Sequence, residues 1–131
     1  MLRSKLIFNL IKKSLTTKFG QSWTTNNLIP KLMNYMSQTK TSYLHRIVVL
    51  NSIACCSKSL NSNQINEHII PNLLKYLKDK VANVRFFILK LLIQIVSLSD
   101  SIGKDKIKTA AKDLKNDEDV DVKFFVNRLI S

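Results

Sequence analysis

The side chains that could perform chemistry are few in this chain, and their spacing does not suit catalysis. The cysteines are Cys55 and Cys56, and the histidines are His45 and His68. A Cys–His pair must be in hydrogen-bond contact to form a nucleophile. Ten residues along one helix separate His45 from Cys55 by about 15 Å. We therefore predict no nucleophilic pair, and we expect the adjacent cysteines to be buried structural residues.

A second candidate is the alternating acidic sequence Asp117, Asp119 and Asp121. A calcium loop of the EF-hand type needs glycine at its sixth position and glutamate at its twelfth. This sequence has Val122 and Arg128 there. We interpret the acids instead as residues that bind free N–H groups at a helix start. Since no glycine-rich phosphate loop, nucleophile elbow or metal-ligand cluster occurs, we predict no catalytic residue, no metal site and no cofactor.

The positive charge is concentrated in the first half of the chain. The net charge is +12, and residues 1–66 contain nine lysines and arginines but no acidic residue. A basic half can attract nucleic acid, an anionic membrane or an acidic protein. Alternatively, the lysines form an ordinary solvated surface. No aromatic residues interleave with them, as a platform for stacking bases would require.

The cellular compartment is predicted from the cysteines and from the N-terminus. Adjacent cysteines provide no disulfide framework, which fits a reducing compartment, so we expect the cytoplasm and also the nucleus. No apolar run approaches the roughly 20 residues that a helix needs to cross a bilayer, so we predict no membrane span and no membrane partner. The basic N-terminus has too short an apolar run for a secretory signal, whereas a mitochondrial presequence stays open.

The hydrophobic periodicity predicts helices throughout. Glycine and proline number only two each, which disfavours a turn-rich sheet protein. Apolar residues recurring every three or four positions predict seven helices: about 2–19, 24–35, 42–60, one through 65–77, 82–98, 104–115 and 120–130. We expect Gly20 to end the first helix and Ser99–Gly103 to separate the fifth from the sixth. Pro30 lies early in its predicted helix, whereas Pro71 lies mid-helix and predicts a kink.

The helices repeat in pairs. The intervals in residue number are 41 between Pro30 and Pro71, 39 between Arg46 and Arg85, and 38 between Arg85 and Lys123. A period of this length with two helices per unit indicates an all-α HEAT-repeat solenoid of antiparallel helix pairs. We predict one domain, 1–131, with a lone second helix at 1–20 and repeats at 21–60, 61–99 and 100–131, about three and a half in all. Six residues are predicted to be structural positions of the repeat: Trp23, Pro30, Arg46, Pro71, Arg85 and Lys123.

Five short strings carry a more specific resemblance. They are Phe19–Trp23 (FGQSW), Ile29–Lys31 (IPK), Tyr43–Arg46 (YLHR), Val81–Phe86 (VANVRF) and Asp119–Phe125 (DVDVKFF). In this order and spacing they resemble the C-terminal repeats of the scaffold (A, or regulatory) subunit of type 2A serine/threonine protein phosphatase. The resemblance extends from about Asn9 to the C-terminus.

This resemblance implies a function. Members of that family are arrays of fifteen HEAT repeats, in which the early repeats hold a regulatory subunit, while the last five hold the catalytic subunit. Binding uses the turns within the repeats, which here contain Tyr43, Val81 and Glu118 at spacings of 38 and 37. The resemblance therefore implies a non-catalytic segment that binds a phosphatase catalytic subunit. The regulatory-subunit site would be missing, and we expect a fragment, a partial gene model or a diverged short protein.

An alternative function stays open on the charge alone. The chain would then be a basic helical-repeat module that binds nucleic acid or an acidic protein. That function needs a stripe of basic side chains, and Lys12, Lys13 and Lys31 are candidates. Apolar turn residues such as Tyr43 and Val81 suit a protein partner better. Neither interpretation involves a small-molecule substrate.

Overall fold

The computed structural model describes residues 16–37 and 42–131, and no strand occurs within these ranges. The predicted all-α class and HEAT-type architecture are confirmed. In these ranges the α-helices are α1 Thr16–Trp23, α2 Ile29–Ser37, α3 Tyr43–Cys56, α4 Ser62–Gln64, α5 Ile70–Lys75, α6 Ala82–Val96, α7 Ser101–Lys112 and α8 Val120–Ile130. Most of the predicted helix 2–19 and residues 38–41 lie outside the described residues. The division into repeats stays a prediction.

Gly20 interrupts α1. Its backbone has φ 83° and ψ 176°, so the helical run on its C-terminal side begins at Gln21. A Cβ atom strongly disfavours this positive φ, whereas glycine adopts it readily. The predicted helix end at Gly20 is therefore confirmed. The next helix was predicted to start at about residue 24. It starts earlier, at Gln21, because Gly20 alone is enough to turn the chain.

Both prolines lie inside continuous helical rods and follow a wider helical turn. The π-helical segments Thr24–Leu28 and Ile65–Ile69 each precede an Ile-Pro pair. The isoleucine before each proline donates its N–H to the carbonyl five residues back. Because proline lacks an N–H and its ring clashes with the carbonyl four residues back, the wider turn relieves the clash. At Pro71, where a kink is predicted, the structure has this π-helical turn. Pro30, predicted to lie early in its helix, lies mid-rod and is accommodated in the same way.

The helices stack in two layers that position the turns. The second helices of the pairs form one layer, in which α3 contacts α6 and α6 contacts α8. In the other layer, α5 contacts α7. Helix α6 is apolar on nearly every side and contacts α3, α5, α7 and α8. Its Ile88, Leu89 and Leu92 are fully buried, as are Ile53 of α3 and Val126 of α8. One continuous core therefore runs through the repeats.

Helix α7 starts three residues earlier than predicted, and Gly103 lies inside it rather than in a break. The Asp100 carboxylate caps the helix by accepting the Gly103 N–H at 3.0 Å. The same Oδ1 accepts a hydrogen bond from Asn66 Nδ2 at 2.7 Å. A Cβ atom on Gly103 would overlap Asn66 Oδ1 and lie 2.9 Å from Ser99 Cβ. Glycine is therefore needed here because the neighbouring helical rod approaches closely.

We predict that Gly103→Ala destabilises the fold. An alanine inside a helix is ordinarily about 1 kcal/mol more favourable than glycine. Here overpacking against Asn66 should reverse the sign and cost about 1–3 kcal/mol. The free energy of unfolding in urea measures this effect, with Thr109→Ala on the exposed side of α7 as the control. A stabilised Gly103→Ala variant would contradict the close approach.

Candidate partner-binding surface

The turns before α6 and α8 are built in the same way around an aspartate. Asp79 Oδ1 accepts the Val81 N–H at 2.9 Å, and Asp117 Oδ1 accepts the Asp119 N–H at 2.9 Å. The residue numbers of the two aspartates differ by 38, which is the interval between successive repeats. Each carboxylate thus fixes the backbone of its own turn just before a second helix begins.

The same two carboxylates bind arginines of the preceding repeat. Arg46 donates to Asp79 from Nε at 2.8 Å and from Nη2 at 3.0 Å. Arg85 donates to Asp117 in the same bidentate geometry, at 2.9 Å and 3.0 Å. The arginine side chains are only 18% and 16% exposed and the aspartates 8% each. Such planar, charge-assisted pairs are strong and geometrically specific. We call these two pairs the arginine clamps.

Lys123 occupies the third position of this series. It is exposed, and no carboxylate in the described part of the chain forms an ion pair with it.

Burial alone would raise the pKa of Asp117, but the hydrogen bonds from Arg85 and from the Asp119 N–H outweigh that effect. The pKa of Asp117 is therefore below its ordinary value, and the charges of Arg85 and Lys123 add to the shift.

The three predicted binding residues lie at the same edge of the helices, but at different positions relative to the helix starts. Tyr43 is the first residue of α3 and is 40% exposed. Val81 directly precedes α6 and is half-buried against the core, and Glu118 is exposed two residues before α8. Measured from the helix starts, the residues equivalent to Tyr43 are Ala82 and Val120. The three residues thus remain predicted binding positions at one edge of the helices, and the helix starts define the structural register.

Exposed apolar side chains are concentrated at the starts of the second helices, and most of them are not among the predicted binding residues. Leu44 is 49% exposed, Val120 74% and Phe124 59%. With Tyr43, they make up four of the seven large hydrophobic residues exposed in the described ranges. The adjacent Phe124 and Phe125 point about 100° apart on α8, and Phe125 is half-buried whereas Phe124 is exposed.

Three phenylalanines form a continuous aromatic cluster across α6 and α8. The Phe86 and Phe125 ring centroids are 5.1 Å apart, and those of Phe124 and Phe125 are 5.3 Å apart, both edge to face. Lys90 Nζ lies 5.3 Å from the Phe86 ring centroid. Phe86 and Phe125 are half-buried, whereas Phe124 is exposed. We call Phe86, Phe124 and Phe125 the phenylalanine cluster.

The groups with nucleophilic or ligating chemistry have structural surroundings. Cys55 and Cys56 are reduced thiols, and Cys56 Sγ donates to the Ser52 carbonyl at 3.3 Å. Burial raises the pKa of Cys56 to about 12, so its thiol is protonated at neutral pH. His45 lies 3.1 Å from the Ser42 hydroxyl at the start of α3. Among the described residues, no three histidine, cysteine or acidic side chains are grouped as a metal ion requires.

The acidic series before α8 also has structural roles. Asp119 caps α8 by accepting the Val122 N–H at 3.0 Å, which confirms the interpretation as helix-start acids for this residue. Asp117 instead belongs to an arginine clamp, and Asp121 is exposed in the first turn. None of the helices that the structure describes is long and apolar enough to cross a bilayer.

The remaining predicted positions are found in the first-helix layer. Trp23 is half-buried and packs against the core, while Pro30 and Pro71 are exposed beside their π-helical turns. Lys31 is exposed on α2. Lys12 and Lys13, the other lysines of the alternative interpretation, lie outside the described residues.

Comparison with known proteins supports the resemblance. No protein-family model matches the chain. Among curated proteins, the chain is similar to the regulatory A subunit of protein phosphatase PP2A from Saccharomyces cerevisiae, with 27% identity over 126 residues. The match covers 91% of this chain and 20% of the yeast protein. The resemblance predicted from the sequence is confirmed, and the chain spans about a fifth of the length of that relative.

We predict that Arg85→Met is strongly destabilising. It keeps much of the apolar stem but leaves the Asp117 carboxylate nearly buried without its guanidinium. Removing one partner of such a pair costs about 3 kcal/mol or more. Lys123→Met is the matched control, since it changes the equivalent position where no ion pair forms, and we expect a change within about 0.5 kcal/mol. Equal losses in chemical denaturation would refute the structural role of the clamp.

We further predict that the Asp117–Arg85 clamp weakens in acid. The folded-state pKa of Asp117 is lowered from the ordinary 3.8. Its contribution is therefore complete above the unfolded-state pKa and is lost as the pH falls through the lower folded-state value. Asp117→Asn cannot titrate, so it should lose less stability than wild type between about pH 7 and pH 3. Urea unfolding at both pH values measures this, and identical losses would show that the carboxylate is not linked to folding.

Proposed function

We propose that this chain is a non-catalytic scaffold segment that binds the catalytic subunit of a type 2A serine/threonine protein phosphatase. The observation that carries the proposal is the exposed apolar surface at the starts of α3 and α8, in a chain similar to a PP2A regulatory protein. Contact is made along the turn edge of the repeats, where Tyr43, Val81 and Glu118 lie. Tyr43, Val120 and Phe124 are the main anchors.

A protein partner fits this surface on physical grounds. Exposed aromatic side chains set among polar ones are typical anchors of protein interfaces. Tyr43 and Phe124 are on helices whose starts are fixed by hydrogen-bonded caps at Ser42 and Asp119. Because the arginine clamps also tie adjacent repeats together, little conformational freedom is lost when a partner binds. The surface is therefore arranged for binding before the partner arrives.

The chemistry of the described side chains supports a binding role. The Cys56 thiol is protonated and buried, and the aspartates Asp79, Asp117 and Asp119 are engaged in the turns. Reduced thiols suit a reducing compartment. This supports our proposal that the complex forms in the cytoplasm and the nucleus.

One observation favours the alternative function. Lys104, Lys108, Lys112 and Lys115 are exposed and recur every three or four residues along α7 and the turn after it. They consequently share one side of the helix, and a stripe of this kind can bind the backbone of a nucleic acid. The stripe lies on a first helix, whereas the apolar anchors lie on second helices. The two functions thus predict different binding residues.

The proposal is tested by alanine substitution of the aromatic anchors. Tyr43→Ala and Phe124→Ala should each weaken binding to a purified type 2A catalytic subunit by about tenfold or more, because exposed aromatic anchors commonly contribute about 1.4 kcal/mol or more. The melting temperature should change little, since both side chains are exposed and lie outside the hydrophobic core. Tyr35→Ala is the matched control, as Tyr35 is 45% exposed but lies on α2.

The same variants distinguish the alternative. If Tyr43→Ala and Phe124→Ala bind as wild type does, the proposed surface is wrong. A salt-sensitive affinity for a random DNA duplex that is lost in a Lys104/Lys108/Lys112 triple alanine variant would instead support nucleic-acid binding. Affinity can be measured by titration calorimetry at two salt concentrations, with circular dichroism to confirm the helical fold.

A further inference from the structure

An aromatic–cation pair is repeated on the last two second helices. Lys90 follows Phe86 by four residues on α6, and Arg128 follows Phe124 by four residues on α8. For both members of the pair, the residue numbers on the two helices differ by 38. Side chains four residues apart lie on the same side of a helix. Each helix thus presents an aromatic ring with a cation one turn further on.

The two pairs belong to one surface. Phe86 contacts Phe125, and Phe125 contacts Phe124, so the aromatic rings bridge α6 and α8. Packed helices have axes about 8–10 Å apart. The phenylalanines therefore form one row across the two helices, and Lys90 and Arg128 form a second row beside it. Both cations are exposed.

Within α6 and α8 themselves, little negative charge compensates the positive charge of this surface. Helix α6 contains no acidic residue, and α8 contains only Asp121. The nearby aspartates of the turns are already used, because Asp79 and Asp117 bind arginines and Asp119 caps α8. In the ranges the structure describes, the ion pairs involve neither Lys90 nor Arg128. A partner with negative charge would therefore complement this surface.

We propose that the phenylalanine cluster binds an acidic-apolar segment of the phosphatase catalytic subunit. Apolar side chains of that segment cover Phe86 and Phe124, and its carboxylates pair with Lys90 and Arg128. This inference rests on the proposed function and names the chemistry of the partner at this surface. Charge pairs at the rim of an apolar contact accelerate association and make it sensitive to salt. Matching the two rows also fixes the direction in which the segment crosses the helices.

Charge reversal in the full chain tests this inference. We compare Lys90→Glu/Arg128→Glu with Lys58→Glu/Lys106→Glu, which makes the same change of net charge at exposed lysines away from the cluster. The probe is a purified type 2A catalytic subunit, for which the first double variant should lose at least tenfold in affinity and most of the salt dependence. The second should stay within about twofold of wild type, since distant surface charges are screened. Lys90→Arg should retain wild-type binding.

The outcomes separate this inference from the function on which it rests. If wild type does not bind the catalytic subunit, the proposed function fails. If wild type binds and both double variants bind equally, only the charge complementarity at the cluster is overturned. If Lys90→Glu/Arg128→Glu abolishes binding to a DNA duplex but not to the catalytic subunit, the occupant is nucleic acid and the inference is wrong. Melting temperatures of all variants show whether a loss reflects unfolding.

Discussion

The bidentate pairing of an arginine with the aspartate of the next repeat is the constraint on which the rest of this structure depends. In each arginine clamp the carboxylate accepts two hydrogen bonds from the arginine and one from the backbone of its own turn. The position of one helix pair is thereby linked to the backbone path of the next turn. Arg85 extends this link, because it also donates to the Asp79 carbonyl at 2.8 Å. Consecutive clamps are therefore joined into one network.

This network has consequences for the surface. Because the clamps fix the turns before α6 and α8, the exposed side chains that follow are held at defined separations. The clamps also consume two arginines and two aspartates in internal pairs, so lysines dominate the charge that remains exposed. The phenylalanine cluster lies where the second helices meet, and Phe125 connects its half-buried and exposed members. Rigidity, apolar surface and positive charge thus coincide at one edge of the repeats.

The sequence predicted those features that depend on local patterns. The apolar periodicity predicted the helices. Gly20 marks a real interruption and Pro71 a locally widened helical turn, because their backbone chemistry acts locally. The start of α7 was predicted incorrectly, since the reason for Gly103 is a contact with Asn66 on the neighbouring helical rod. Arg46 and Arg85 were predicted as repeat positions, whereas their aspartate partners are visible only once the helices are stacked. Likewise, the exposure of Phe124 depends on how α8 packs, which no local pattern determines.

Hydrogen exchange of the chain with and without a purified type 2A catalytic subunit tests most directly whether that subunit binds the starts of the second helices. The first N–H groups of a helix have no partner within it and exchange readily unless something covers them. Complex formation should therefore slow exchange at the starts of α3, α6 and α8 and leave α7 unchanged. Slowed exchange confined to α7, or no change at the helix starts, would contradict binding at this edge.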